Sequence, residues 1–198
     1  MPPDIAQHAL MYFVLPLWLA AGFADYLCHR AAHIEITSGA KESLLHLLQF
    51  SEMAVPTLAA IFLQINALII AVMIVCLLLH EATAFWDVRY ATATREVTPL
   101  EQHVHSFLEM LPLTALLIIV VLHWGQFLAL FGLGSEPASF TIAVKPEPLP
   151  WRYVVAILIV TLLFELLPYV EEFFRGLRAN YGALTPKQSR DQRARPAE

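Results

Sequence analysis

The chain has 198 residues, of which 58% are hydrophobic and 15% are charged, and its formal net charge is −5. Soluble domains are nearer half apolar and a quarter charged, so this composition argues against a soluble enzyme. The apolar residues fall in long runs that match the roughly 30 Å hydrocarbon core of a bilayer at 1.5 Å per helical residue. An all-α, polytopic transmembrane bundle of about five helices is therefore predicted. The clearest runs are Leu10–Cys28, Met53–Leu79, Leu111–Phe131 and Val154–Leu167.

The first predicted helix covers residues 5–34. Its leader, Met1–His8, has no Lys or Arg and contains Asp4, which is the reverse of a signal-peptide n-region. We therefore expect a retained helix and not a cleaved signal. Cys28 and Cys76 both lie inside apolar helices and indicate no disulfide framework.

The second and third helices have to be separated within one long apolar stretch. From residue 40 the helical pattern continues to residue 90, which is far too long for a single crossing. Its only polar interruption is Gln64-Ile65-Asn66. A tight turn is predicted there, which gives helices over residues 40–63 and 66–90.

The fourth helix has the clearest start signal. Thr98-Pro99-Leu100-Glu101 supplies a capping hydroxyl, a proline at the first helical position and a glutamate three residues past the cap. This helix is predicted over residues 99–131 and the fifth over 150–181. Residues 1–182 then form one transmembrane domain, and residues 183–198 form a disordered basic tail.

The basic residues orient the bundle. Five crossings place the termini on opposite sides, with only Lys145 and Arg152 on one side and ten Lys and Arg residues on the other. The positive-inside rule then predicts an outside N-terminus and a cytoplasmic C-terminus in a plasma membrane of the bacterial inner-membrane type. The ten residues are Arg30, Lys41, Arg89, Arg95, Arg175, Arg178, Lys187, Arg190, Arg193 and Arg195.

Acids and histidines recur together at the cytoplasmic ends of the first four predicted helices. Their spacings of four or seven place both side chains on one helix face, so we expect them to converge on a common interior. The pairs are Asp25-x3-His29, Glu42-x3-His46, His80 with Asp87, and Glu101-x3-His105. Six of the eight histidines lie in this layer: His29, His33, His46, His80, His103 and His105.

A weak internal repeat accompanies these pairs. Residues 36–56 resemble residues 97–112, and each copy follows a helix with an acid near the same end. The repeat predicts a pseudo-symmetric four-helix core in which each half donates ligands. Helix bundles commonly build di-metal sites from such carboxylates and histidines. Mixed nitrogen and oxygen ligation suits iron, with manganese or zinc as alternatives.

The candidate ligands differ in depth. Ionisable groups deep in a membrane are usually functional, although each histidine taken singly also fits a hydrogen bond between helices. Ligation and a solvated role both fit His33 and His103, which lie nearer the interface. Glu42 and Glu101 are candidate ligands that also suit simple charges at helix N-termini. The central ligands are predicted to be Asp25, His29, His46, His80, Asp87 and His105.

Three deeper glutamates are candidates for catalytic residues. Glu52 and Glu109 precede prolines and could support the ligand histidines. Glu165 lies near the middle of the fifth predicted helix, where a functional role and a hydrogen-bonded structural role beside Pro168 both fit.

These histidines resemble those of a known enzyme class. His29-Arg-Ala-Ala-His33, the region of His80 and His103-Val-His105 are similar to the histidine boxes of membrane non-haem di-iron enzymes, the fatty-acid hydroxylases and desaturases. The resemblance covers residues 25–110. It implies two irons near the cytosolic face, dioxygen activation, a lipid chain or other lipophilic substrate, and an electron-donor protein. The His-x2-His-His boxes of that class are absent, so acids would fill several ligand positions.

Two other functions remain open. The same polar interior could bind metal or conduct protons or ions without catalysis. The stretch Trp86–Tyr90 resembles sterol-isomerase-like membrane proteins, which implies metal-free catalysis by a histidine and a glutamate but leaves most of the histidines unexplained. The sequence indicates no nucleic-acid partner and no particular oligomeric state.

Overall fold

The computed structural model describes residues 3–186 of the chain. It is 78% helix, and the described part has no strand beyond one isolated bridge between Leu63 and Val144. The predicted all-α bundle with five membrane-spanning helices is therefore confirmed. The five long helices are α1 (Ile5–Ala31), α2 (Ala40–Phe62), α3 (Ala67–Thr94), α4 (Pro99–Leu122) and α5 (Trp151–Ala179).

The first helix ends earlier than the predicted residue 34. Its last residue is Ala31, and His33 then takes a left-handed conformation with φ of 50°. A short helix, Ile34–Thr37, follows and packs on α5, where Asn180 donates a hydrogen bond of 2.7 Å to the Glu35 carbonyl. The early end turns the chain toward α5 before α2 begins.

The turn between α2 and α3 lies where the polar interruption of the sequence predicts it. Asn66 caps α3, since its side-chain oxygen accepts a 3.1 Å hydrogen bond from the Ile69 amide. The connection between α4 and α5 lies along this turn. The Gln64 amide donates to the Ala143 carbonyl at 2.8 Å, and the Lys145 amide donates to the carbonyl of the last residue of α2 at 3.0 Å. This loop therefore closes one end of the bundle.

The prediction of one continuous fourth helix to residue 131 is wrong. His123 leaves the helical conformation, and a separate short helix, Trp124–Leu130, turns back against α3. The turn brings the Gln126 side-chain oxygen to the Ala67 amide at 3.2 Å. The break thus satisfies a donor at the start of α3 that has no partner within its own helix.

The helices pack as a bundle with an apolar outer surface. α2 lies against α3 and α5, and α1 lies against α4. Outward-facing residues such as Leu78 and Val121 are 64% and 68% exposed, as expected of side chains that contact lipid. α5 approaches the start of α2 closely, because a Cβ at Gly176 would lie 2.8 Å from the Ala40 nitrogen. Small residues permit such approaches between membrane helices.

The predicted disordered tail is described only at its beginning. Residues 183–186 pack against the start of α2, where the Lys41 amide donates a 2.9 Å hydrogen bond to the Leu184 carbonyl. These four residues are therefore ordered, contrary to the prediction. Residues 187–198, which carry all the basic side chains of the predicted tail, lie outside the described residues.

Five crossings predict that Glu96 lies on the opposite side of the membrane from Gln64 and Ser135. In a chain with Cys28 and Cys76 replaced by alanine, single cysteines at these three positions can be labelled in sealed vesicles with a membrane-impermeant maleimide. We expect Gln64→Cys and Ser135→Cys to react in one vesicle orientation and Glu96→Cys only in the inverted one. Labelling of all three from the same side would contradict the five-helix topology.

Candidate metal centre

Eight ionisable side chains from all five long helices meet at one end of the bundle. We call them the acid–histidine cluster. Seven of them are at most 6% exposed, and the eighth, His105, has a side-chain exposure of 14%. Charged groups buried at such depth have to compensate one another. The members are Asp25, His29, Glu42, His46, Asp87, Glu101, His105 and Glu172.

The two halves of the internal repeat, α1 with α2 and α3 with α4, contact each other within the cluster through acid–histidine pairs. His46 of the first half lies with Nε2 3.0 Å from Asp87 Oδ2 of the second. His105 of the second half lies with Nε2 2.8 Å from Asp25 Oδ1 of the first. Reciprocal contacts of this kind are typical of a two-fold relationship. The two shortest histidine–carboxylate contacts among the repeat helices therefore lie between the halves.

Arg95, just beyond α3, joins the two equivalent glutamates of the repeat. Its guanidinium donates to Glu42 at 2.6 Å and also to Glu101. The side chains are only 3%, 1% and 0% exposed in that order. Burial alone would lower the pKa of Arg95, but its hydrogen bonds to Glu101 and Glu42 outweigh burial and raise it. Both glutamates are thus more than helix-capping charges.

A carboxylate that the sequence predictions missed connects two of the histidines. The rings of His29 and His46 stack with centroids 4.4 Å apart and planes 10° apart. Glu172 lies beside both, with Oε2 3.2 Å from His29 Nδ1 and Oε1 3.2 Å from His46 Nδ1. An ionised carboxylate only accepts hydrogen bonds, so it holds a proton on each Nδ1. A histidine fixed in this way directs Nε2 to its other partner, which is Asp87 for His46 and which could in each case be a metal ion.

The opposite ring nitrogens face carboxylate oxygens. His29 Nε2 lies 3.4 Å from Asp25 Oδ2 and 3.5 Å from Glu101 Oε1. Two groups of residues place one donor atom each within 4.8 Å of all the others in the group, close enough to hold a metal ion. The groups are Asp25, His29, Glu101 and His105, and His29, Glu42 and His46.

The charge of the cluster also suits metal ions. With the histidines neutral, five carboxylates against the single Arg95 guanidinium leave a formal charge of −4. Two divalent cations balance that charge, whereas protonation of all three histidines leaves −1. Buried charge without compensation is costly, and Arg95 and the three histidines do not neutralise all five carboxylates. The structure thus contains groups of His, Asp and Glu that could hold metal.

Three predicted ligands, His33, His80 and His103, lie outside the cluster, and two of them are at the surface. The His33 side chain is 68% exposed and lies 3.3 Å from Glu35. His103 is exposed and its ring contacts Phe107 with centroids 5.3 Å apart. The structure brings neither of these two exposed histidines to the metal-capable groups.

The other predicted site residues lie deeper in the bundle. His80 lines a cavity next to the cluster, and neither of its ring nitrogens has a hydrogen-bond partner among the described side chains. Glu109 lines the same cavity. Glu52 accepts a 2.8 Å hydrogen bond from Thr83, which is a structural contact. None of these three belongs to either metal-capable group.

Glu165 projects into the same cavity from a π-helical turn of α5, Leu162–Leu166. Such turns are frequent at functional sites. Its carboxylate fills the space that a Cβ at Gly22 would need, and its Oε1 has no hydrogen-bond partner among the described residues. Glu165 therefore lies beside the cluster: it packs against Gly22, which is three residues before Asp25 on α1.

The cavity has a volume of about 330 Å³ and is lined mainly by apolar side chains. Its polar lining comes from the cluster, including Asp25, His46, Asp87 and His105. Ligand sites are typically cavities of roughly 300–1,000 Å³ with a few convergent polar groups. A hydrophobic molecule in this cavity would contact the cluster directly.

Comparisons with known protein families, with curated proteins and with solved structures found no match.

Replacement of Arg95 is predicted to destabilise the fold. Arg95→Ala leaves Glu42 and Glu101 buried without their cation, a change that typically costs about 3–5 kcal/mol. Thermal unfolding of the purified protein should shift to a clearly lower temperature. Arg89→Ala removes an exposed arginine of α3 and serves as the control, with an effect within about 0.5 kcal/mol. Equal shifts in the two variants would contradict the role of Arg95.

Proposed function

We propose that this protein is a membrane metalloenzyme that binds two divalent cations, foremost iron, at the acid–histidine cluster and oxidises a lipid chain held in the adjoining cavity. The observation that carries the proposal is the direct contact between the cluster and an apolar cavity of about 330 Å³. Residues of a metal-capable group thus line a cavity that could hold a hydrocarbon chain.

The donor set supports iron. Asp25, His29, Glu101 and His105 supply two imidazoles and two carboxylates, and the second group adds no sulfur ligand. Imidazole and carboxylate ligands around open positions are typical of non-haem iron oxygenases. Manganese and zinc accept the same donors, so the identity of the metal has to be measured.

The lining of the cavity supports an enzyme over a proton relay. A relay needs polar groups that continue across the membrane, whereas the cavity beyond the cluster is bounded mainly by side chains such as Leu15, Trp18 and Met53. Apolar walls suit a lipid chain. A metal-free isomerase would leave five carboxylates against one arginine without compensating cations.

The proposed reaction is balanced with an external electron donor. Hydroxylation of a C–H bond consumes one dioxygen, two electrons and two protons; one oxygen atom enters the alcohol and the other leaves as water. Bound iron would supply the redox chemistry. Glu172 holds His29 and His46 in place, and Arg95 holds Glu42 and Glu101. Glu165, whose Oε1 has no hydrogen-bond partner among the described residues, is the candidate for proton exchange with the substrate side.

We further propose that the cluster faces the cytoplasm. Among the described residues, Arg30, Lys41, Arg89, Arg95, Arg175 and Arg178 lie at the cluster end, whereas Lys145 and Arg152 lie at the other. The excess of positive charge favours a cytoplasmic cluster end, where a soluble electron donor can reach it. Labelling of Glu96→Cys from the cytoplasmic side would agree with this orientation.

Metal analysis of the purified protein tests the proposed function. We expect about two irons per chain, because two divalent cations match the cluster charge, and a loss of most bound metal in His29→Ala and His105→Ala. His103→Ala is the matched control, since it removes an exposed histidine two residues from His105. A folded protein without metal would overturn the proposal. Stoichiometric zinc would exclude the oxidation, because zinc has no redox chemistry.

Glu172 offers a second test of the metal centre. Glu172→Gln keeps the shape of the side chain but removes the charge that orients His29 and His46. Loss of such a supporting partner typically lowers metal affinity about 10–100-fold. Glu171→Gln changes the adjacent glutamate, whose side chain is 46% exposed, and should leave the affinity unchanged. Competition with a metal chelator measures both, and equal affinities would show that Glu172 does not support the ligands.

A further inference from the structure

A second cavity of about 330 Å³ continues the first one toward the other end of the bundle. Both are lined by the same five side chains at their junction, namely Leu15, Trp18, Met53, Thr57 and Ile61. The two cavities therefore adjoin at these residues; we call the adjoining cavities together the passage, and the five shared residues its waist. The passage therefore extends from the acid–histidine cluster to the end of the bundle closed by the loop between α4 and α5.

The passage is long enough for one extended hydrocarbon chain. His46 lines its cluster end, and Lys145 lines its far end, where its ammonium donates a 2.5 Å hydrogen bond to the Ala60 carbonyl. His46 and Ala60 are 14 residues apart in α2, about 21 Å at 1.5 Å per residue. One leaflet occupies about 15 Å, half of the hydrocarbon core, so the passage exceeds the depth of a leaflet.

The far end carries a cation, Lys145. Lys145 is half-buried and lies within 4 Å of no carboxylate of the described residues, including Glu147, which lines the same end. Burial lowers the pKa of Lys145, and burial followed by the charge of Lys145 lowers the pKa of His123 beside it. A bound anion would relieve both effects, because it favours the charged form of each group.

We propose that Lys145 is the head-group site for a single-chain anionic amphiphile, whose chain passes the waist at Thr57 and ends at the acid–histidine cluster. The assignment rests on the proposed function for what happens at the cluster. It adds the orientation of the substrate: the anionic head lies at the end of the bundle opposite the metal centre. The chain would therefore be oxidised far from its head group, and chains too short to pass the waist would bind without reacting.

Quenching of Trp18 fluorescence can show whether the hydrocarbon chain of the amphiphile lies at the waist. Trp18 lines the waist, and the other three tryptophans, Trp86, Trp124 and Trp151, are 52%, 52% and 70% exposed and can be replaced by phenylalanine. Hexadecanoate brominated in mid-chain, titrated into this protein in lipid nanodiscs, should quench Trp18 saturably. Brominated hexadecyl phosphate tests whether a phosphate head serves as well as a carboxylate, and the brominated methyl ester tests the need for charge.

We expect the carboxylate to bind about tenfold or more tightly than the methyl ester, as for a hydrogen bond to a charged group. Lys145→Ala should abolish this difference, and Lys145→Arg should keep it. Thr57→Phe should block quenching by narrowing the waist, whereas Val121→Phe, on the lipid-facing surface, should not. The comparison between acid and ester in the unmodified passage needs no variant at Lys145, so it stands even if Lys145→Ala fails to fold.

Equal binding of acid and ester would overturn the head-group site. Quenching in Thr57→Phe equal to that in Val121→Phe would overturn the passage. Metal content measured in the same samples separates the two proposals. Saturable, charge-dependent quenching without bound metal would support the head-group site and contradict the proposed enzymatic function. Bound metal without quenching would contradict the head-group site and leave the metal centre supported.

Discussion

Five carboxylates buried at one end of a membrane bundle are the constraint on which the rest of this structure depends. Each would be costly in an apolar interior without a compensating partner. Part of the compensation comes from Arg95, which joins Glu42 and Glu101, and part from the histidines beside the carboxylates. Because most partners lie on different helices, the charges are satisfied only when the helices are assembled. The cluster therefore determines the arrangement of the bundle as well as its chemistry.

The internal repeat gives this arrangement its symmetry, and the fifth helix breaks it. Asp25 pairs with His105 and Asp87 pairs with His46, so each half completes the other. α5 has no counterpart in the repeat, yet it supplies Glu172. Close contact between Gly176 and the start of α2 brings this carboxylate within 3.2 Å of His46. The predicted four-helix core thus needs a fifth helix to fix its histidines.

Run lengths and caps made much of the fold predictable from sequence. A stretch too long for one crossing required a turn, and Asn66 was both its polar interruption and the cap of the next helix. Thr98 likewise accepts a 3.2 Å hydrogen bond from the Glu101 amide, as its spacing predicted. The end of the fourth helix at His123 had no such local signal. This end is associated with a tertiary contact, because the short helix that follows the turn places Gln126 at the start of α3.

The cluster was predictable where spacing carried the information and not elsewhere. Acids and histidines four residues apart share a helix face, so Asp25 with His29 and Glu101 with His105 could be found. His33 has the same spacing from His29, but α1 ends at Ala31 before the pattern can continue. Glu172 has no histidine on its own helix, and only the packing of α5 reveals its role.

The position of Arg95 has a consequence for how the protein is made. Biosynthesis delivers α1 and α2 to the membrane first, with Asp25 and Glu42 in place and their partners from the second half still to come. Until the residues beyond α3 have been synthesised, the first helical hairpin therefore lacks the guanidinium that pairs with Glu42 in the complete bundle. Pairing of Glu42 with a cation is therefore a late step in assembly, because it requires Arg95, which follows α3.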